Sequence, residues 1–196
     1  MLEFEKKVLL TPEEYQGLLK LTNSNTARIV QTNYYYDSDQ LDMNRRGITC
    51  RIREKNGKWK ATVKTHEARE RECSVENAKE VLGPLDDSFF KGMNVNLQGY
   101  LTTTRTILYA GRGLEVVLDE NTYLGTQDFE LEIEYTCENA NHADFVLRLL
   151  AVILHGPDKD GGAVDFCVRT RFSQSKSERF FERMRFFRKN ARESLE

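Results

Sequence analysis

Apolar and polar residues alternate along most of this chain with the period of two that puts successive side chains on opposite faces of a β-strand. The first alternation, "LEFEKKVLL" at residues 2 to 10, predicts an opening strand. It runs into "TPEE", where Thr11 caps, Pro12 takes the first helical position and Glu14 completes a capping box, so a short helix is predicted through about Leu21. "ARIVQTNYYYD", residues 27 to 37, is rich in β-branched and aromatic residues and predicts a second strand. After a turn at "RRG" the pattern resumes as "ITCRIREKNGKWKATVKT". Within it Asn56-Gly57 marks a two-residue hairpin, because both turn positions need positive φ.

"ERECSVE" predicts a short strand leading into a helix capped by Ser74 and stopped at Gly83-Pro84, with a second helical piece over residues 86 to 97. "YLTTTRTILYA", "LEVVLDE" and "FELEIEY" then form a meander broken by glycine-containing turns. A helix is predicted from about 140 to 155, ending at Gly156-Pro157, followed by a "DKDGG" loop. The C-terminal "SERFFERMRFFRKN" predicts a basic and aromatic helix from about 173 to 190. About eight strands with helices between and after them suit an α+β domain built round one large antiparallel sheet or barrel. No repeat or linker divides residues 1–196, so one domain is expected.

Parity sorts the charges by sign. Residues two apart in a strand share a face about 6.6 Å from each other. Glu3, Glu5 and Lys7 share one face; Arg51 and Arg53 share another; Lys60, Thr62 and Lys64 share the face of the hairpin partner; Glu130, Glu132 and Glu134 share a fourth. Any one of these fits an ordinary half-buried strand with its polar face in water. Together they place like charges side by side, which is unfavourable unless opposite charge lies between them. Turned inward, these faces would make a charged lumen. Carboxylates there suit a hard divalent cation, and arginine forks and lysine ammoniums suit phosphate oxygens.

Composition narrows the alternatives. The chain is 39% hydrophobic and 31% charged, enough for a globular core, and its 29 Lys and Arg nearly balance 31 Asp and Glu. No global field for nucleic acid or anionic membrane is indicated, and any strong electrostatics must be local. Cys50, Cys73, Cys137 and Cys167 lie far apart without a C-x-x-C pair and follow no secretory signal, which argues against a disulfide framework or zinc site and for a cytoplasmic home. The longest apolar run, "FVLRLLAVIL", is interrupted by Arg148 and is shorter than the roughly 20 residues of a spanning helix.

The spacing Glu3-x-Glu5-x-Lys7 resembles the E-x-E-x-K signature of the CYTH domain family, the triphosphate tunnel metalloenzymes. The remaining motifs follow in the family's order: "YYYDSD", "CRIREKNGKWKATVK", "TTTR", "LDENTYLG", "FELEIE" and "SKSERF". The sequence is most similar to bacterial YjbK-type members, and more distantly to thiamine triphosphatases, inorganic triphosphatases and class IV adenylate cyclases.

The resemblance implies an eight-stranded antiparallel tunnel, with helices packed outside, that binds a triphosphate with Mg²⁺ or Mn²⁺. Carried over residue by residue, Glu3, Glu5, Asp119, Glu130, Glu132 and Glu134 would form the metal sector, and Lys7, Arg51, Arg53, Lys64, Arg105 and Lys176 would bind phosphate. Tyr35 and Lys64 match the tyrosine and lysine that act on the leaving group in thiamine triphosphatases. Where that pattern has two alternating aspartates this chain reads "VVLDE", so Val117 replaces one and only Asp119 matches. A further acidic position falls on Glu72 or, with the same parity, Glu70.

The implied activity is metal-dependent hydrolysis of a triphosphate small molecule, inorganic or carried on a nucleoside or thiamine. A non-catalytic polyphosphate or nucleotide sensor is the alternative from another class, and a cyclase a lesser enzymatic one. No nucleic-acid or membrane partner is expected. The interleaved arginines and phenylalanines of "RFFERMRFFRKNAR" also suit a nucleic-acid or membrane-surface helix, but packing over the barrel's end is the preferred reading.

Overall fold

Each strand of the barrel is long enough to bond a neighbour on both sides, and the sheet closes. In the computed structural model, which describes residues 2–66, 73–156 and 173–193, the strands follow the circular order β1-β5-β4-β3-β2-β6-β7-β8, with β8 returning to β1. They are β1 (Leu2–Leu10), β2 (Arg28–Asp37), β3 (Ile48–Lys55), β4 (Lys58–His66), β5 (Cys73–Val81), β6 (Asn96–Gly111), β7 (Leu114–Tyr123) and β8 (Thr126–Tyr135), all antiparallel. The ring closes between β1 and β5 through Leu2↔Val75, Glu3↔Ser74 and Phe4↔Cys73. The Asn56-Gly57 turn has φ of 55° and 73°, the doubly positive geometry that matches the twist of its flanking strands.

Helices are α1 (Pro12–Leu19), α2 (Asp42–Arg45), α3 (Ala140–His155) and α4 (Lys176–Glu193). The capping box of α1 forms as its sequence requires: the Thr11 hydroxyl accepts from the Glu14 amide, and the Glu14 carboxylate accepts from the Thr11 amide at 2.7 Å.

Two sequence expectations are corrected. The segment from Ser74 to Gly83 is not a helix: Cys73–Val81 is strand β5, paired to β4 from Trp59↔Val81 to His66↔Ser74. "ENAKEV" has good helix formers, but strand pairing overrides so weak a preference. The helix expected over 86 to 97 is one 3₁₀ turn, Asp87–Phe90. Positive φ at Gly92 (86°) and Asn94 (50°) ends it, and β6 has begun by Asn96. The "DKDGG" loop, Glu70 and Glu72 lie outside the described residues.

The apolar cores lie outside the barrel or at its end. Val8, Leu118, Leu131 and Ile133 face outward beneath Leu18 of α1 and Leu147 and Ala151 of α3. Cys50, Ile52 and Ala61 pack under Tyr36, Met43 and Phe90 on another side. At one end Phe180, Phe181 and Met184 of α4 close on Tyr35, Leu101 and Tyr123. The chain leaves room for them at Gly99, where an added Cβ would sit 2.9 Å from the Phe180 ring. The preferred packing reading of α4 therefore holds for its first half. In its second half Phe186 and Phe187 are 52% and 43% exposed, with the Arg183 guanidinium 5.4 and 4.8 Å from their ring centres.

Truncating Phe180, which is fully buried, should cost about 3–5 kcal/mol. Phe186→Ala at the exposed end should change stability by less than about 0.5 kcal/mol. Denaturant midpoints of the two variants check the difference.

Candidate functional site

Outward apolar faces leave inward faces that are polar. Within the barrel lies a cavity of about 190 Å³. Among the described residues its lining includes the cations Lys7, Arg51, Arg53, Lys55, Lys60, Lys64, Arg105 and Lys176, and the carboxylates Glu5, Glu76, Glu115, Glu132 and Glu134. Tyr35, Thr49, Ser175 and Ser177 complete it.

Register explains the grouping. Directly opposed residues on paired strands share a face, so Glu5↔Glu134, Lys7↔Glu132 and Asp119↔Glu130 meet inside, with Arg105↔Asp119 beyond. On the opposite wall Arg51↔Thr62, Arg53↔Lys60 and Lys64↔Glu76 do the same.

One sector is acidic and fully paired. The Arg105 guanidinium grips Asp119 with two bonds, Nε to Oδ1 at 2.9 Å and Nη2 to Oδ2 at 2.8 Å, and also reaches Glu132 and Glu134. Lys176 Nζ contacts Asp119 Oδ2 at 2.9 Å, Glu132 Oε1 at 2.8 Å, and Glu130. Arg179 holds Glu130 at 2.6 Å and Asp128 at 2.8 Å. Each of Asp119, Glu130 and Glu132 offers an oxygen, and these lie within 4.8 Å of one another. Three hard oxygen donors gathered round one cationic nitrogen are of the type that can coordinate a divalent metal ion.

The electrostatics follow from burial and crowding. Burial, with Asp119 and Glu5 nearby, raises the Glu132 pKa to about 7 despite Arg105 and Lys7. Burial would also raise Glu5, but Lys7, 2.8 Å away, and Lys64, 3.2 Å away, hold it well below its usual value. Asp119 falls to about 2, because Lys176 and Arg105 outweigh its burial. Lys176 is pushed well down by burial and by Arg105 and Arg179, against the pull of Asp119.

The other sector is cationic. Arg51 and Lys60 share Glu76, each at 3.2 Å. Arg53 has no carboxylate partner among the described residues; its Nε donates to Asn33 Oδ1 at 2.8 Å. Burial and the neighbouring Arg51 and Arg105 lower its pKa to about 10.

Most residues singled out in the sequence meet here. Glu5, Lys7, Tyr35, Arg51, Arg53, Lys64, Arg105, Glu132, Glu134 and Lys176 line the cavity, while Asp119 and Glu130 are joined to it through Lys176. The three-carboxylate cluster leaves out Glu5 and Glu134. Glu3 lies in β1 opposite Ser74, with its side chain outside the described residues. Tyr35 packs its ring on Phe180 and Phe181, and no hydrogen bond joins it to Lys64 among the described residues. Val117 is fully buried opposite Glu132.

Three residues of this polar network escape the sequence reading. Glu76 was hidden by the helix expected after Ser74, although it continues the parity of Glu72 and Ser74. Arg179 was read with the basic face of α4, and nothing in its spacing marks it as the partner of Asp128 and Glu130. Asn33, which orients Arg53, carries no charge to betray it.

A closed antiparallel barrel with acidic and basic sectors facing a central cavity defines a tunnel-type binding protein rather than a side-chain-filled β-barrel. The chain belongs to the CYTH domain family, whose model matches residues 1–161. It is 30% identical over 149 residues to YjbK of Bacillus subtilis (strain 168), a candidate triphosphatase, covering 68% of this chain and 77% of that protein. Two solved structures share the fold. A candidate adenylate cyclase from Bacillus halodurans has a TM-score of 0.64 at 20% identity, covering 91% of this chain and 97% of its own. A candidate adenylyl cyclase from Hippeastrum, reported with a dominant triphosphatase activity, scores 0.61 at 18% identity, covering 89% and 98%.

The two shifted glutamates give stability opposite pH slopes. Glu132, raised from 4.5 to about 7, holds its proton more tightly when folded, so its stability contribution is lost as pH rises between those values. Glu5, lowered well below 4.5, contributes above that value and loses its contribution as pH falls below it. Glu132→Gln should flatten the first slope and Glu5→Gln the second in metal-free denaturant titrations across pH.

Proposed function

We propose that this protein is a divalent-cation-dependent hydrolase of triphosphates, inorganic or carried on a nucleoside or thiamine, acting inside the barrel. The observation that carries this reading is Arg53, a guanidinium beside two others, facing the cavity with no carboxylate in ion-pair contact among the described residues. Burying such a charge is costly unless an anion completes the site. The family, and the candidate triphosphatase among its members, support phosphate as that anion.

In this reading Arg51, Arg53, Lys7 and Arg105 bind the phosphoryl oxygens, and Lys176 joins them from the N-terminal turn of α4. Charge in phosphoryl transfer spreads over the equatorial oxygens, so preplaced cations stabilise it without reorganising. Lys64 neutralises the leaving oxygen. Burial raises the Tyr35 pKa, so its phenol keeps its proton at neutral pH and serves as a donor rather than a base. Mg²⁺ or Mn²⁺ held by Asp119, Glu130 and Glu132, with Glu3, Glu5 and Glu134 completing the acidic sector, would supply further charge neutralisation on the phosphate oxygens.

A second reading, a polyphosphate or nucleotide sensor without turnover, is favoured by Val117. Its apolar side chain is fully buried where the resemblance calls for a second acid.

Phosphate release from triphosphate, thiamine triphosphate, ATP and GTP, each with Mg²⁺ and Mn²⁺, tests the proposal. Turnover of at least one is expected, lost in Lys64→Ala and Glu130→Ala. Arg53→Ala should weaken binding by roughly 10- to 100-fold, the equivalent of about 1.5–3 kcal/mol for a charge-assisted bond. Tight binding without turnover would support the sensor, and cyclic nucleotide formation from ATP would support a cyclase. A panel neither bound nor cleaved would overturn all three readings.

A further inference from the structure

The acidic cluster already contains a cation. Lys176 Nζ lies 2.9 Å from Asp119 Oδ2 and 2.8 Å from Glu132 Oε1, and also contacts Glu130. These are the three carboxylates whose oxygens come within 4.8 Å of one another. An ammonium and a hard divalent cation seek the same oxygens, so one position cannot hold both.

The three cations around the cluster differ in how they are held. Arg105 is also fixed by Glu134, and Arg179 by Asp128 and by the Gln174 carbonyl at 2.6 Å. Every bond described for Lys176 goes to the cluster itself. Arg105 and Arg179 therefore keep carboxylates of their own outside the cluster, and among the described residues Lys176 is the one of the three held by the cluster alone. A divalent ion entering the cluster would meet Lys176 at the same oxygens, and holding both there would crowd buried like charges together.

Lys176 can leave without undocking its helix. The first turn of α4 is pinned independently by Ser177, whose hydroxyl bonds Thr49 at 2.9 Å, by Arg179 on Asp128, and by Phe180 and Phe181 against Tyr35. Only rotation of a flexible side chain is needed. Lys176 also lines the cavity, so its ammonium has a second place to go beside Arg51 and Arg53.

We propose that Lys176 is an exchangeable counter-ion: it occupies the Asp119–Glu130–Glu132 cluster in the metal-free protein and yields that place to a divalent cation, turning its ammonium toward the anion-binding cavity. The proposal rests on the preceding reading only in taking the cluster as a divalent-cation site. Cation binding and anion binding then favour each other reciprocally, because each draws Lys176 toward the position the other needs.

The test uses Mn²⁺ alone, with no phosphate compound, following the free-ion electron paramagnetic resonance signal against full-length protein. Lys176→Met keeps most of the unbranched side chain and removes its charge, and should bind Mn²⁺ at least about ten-fold more tightly than wild type, or about 1.4 kcal/mol. Lys176→Arg retains the charge and should show no such gain. Should the methionine variant fail to fold by circular dichroism, the wild-type protein still decides: the Lys176 side-chain resonance in lysine-labelled protein should shift on saturation with Mg²⁺. Equal or weaker Mn²⁺ affinity in a folded Lys176→Met, no Mn²⁺ binding by either protein, or an unmoved Lys176 resonance would overturn the proposal. Ion exchange at Lys176 without binding or cleavage of any triphosphate would leave this inference standing and sink the proposed function instead.

Discussion

Charge neutrality inside a closed barrel is the constraint on which the rest of this structure depends. Glu130, Glu132 and Glu134 follow one another along one face of β8, a row that an exposed sheet would surround with water. Inside the barrel, compensation must come from protein. Arg105 supplies it from β6, and Lys176 and Arg179 supply it from α4. Removing one member of such a set leaves an unpaired buried charge, a cost of about 3–5 kcal/mol that has no counterpart in ordinary surface pairs. The C-terminal helix is thereby bound to the barrel by electrostatics as well as by Phe180 and Phe181.

The same constraint inverts the usual plan of a small barrel. Interiors of that size are commonly filled by apolar side chains. Here the apolar residues are displaced outward, where α1 and α3 cover Leu131 and Ile133, and to the end capped by α4. The lumen divides into a sector in which every described carboxylate of the metal-type cluster has a cation and one in which, among the described residues, the hydrogen bond of Arg53 goes to the Asn33 amide. The asymmetry between those sectors is what supports a polyanion as the proposed ligand.

Much of this arrangement was legible because the period of a strand is fixed. Alternation in "EFEKK", "RIRE", "KATVK" and "ELEIE" specified which side chains share a face, and sign-sorting of those faces indicated that they turn inward. Asn56-Gly57 was legible because few residue pairs accept its backbone geometry. What failed was local where the determinant was distant. Strand β5 has helix-forming residues, and pairing along β4 on one side and β1 on the other makes it a strand. The roles of Arg179, 51 residues from Asp128, and of Asn33, 20 residues from Arg53, are set by closure and docking rather than by a motif.

The lumen also limits what it can recognise. Among the described residues the cavity offers a single aromatic ring, Tyr35, and that ring is already stacked among Phe180 and Phe181. A base or a thiazole would find no free face there to lie on, whereas phosphate oxygens would find guanidinium and ammonium donors on several walls. Under the proposed function, discrimination within the barrel would be by charge and by the number of phosphoryl groups. Under the same proposal, any choice between inorganic triphosphate and a triphosphate carried on an organic group would be made where that group leaves the cavity. Residues that sort by charge alone read clearly in a single sequence, and residues that sort carriers do not, because they need only fit whatever emerges from the barrel's mouth.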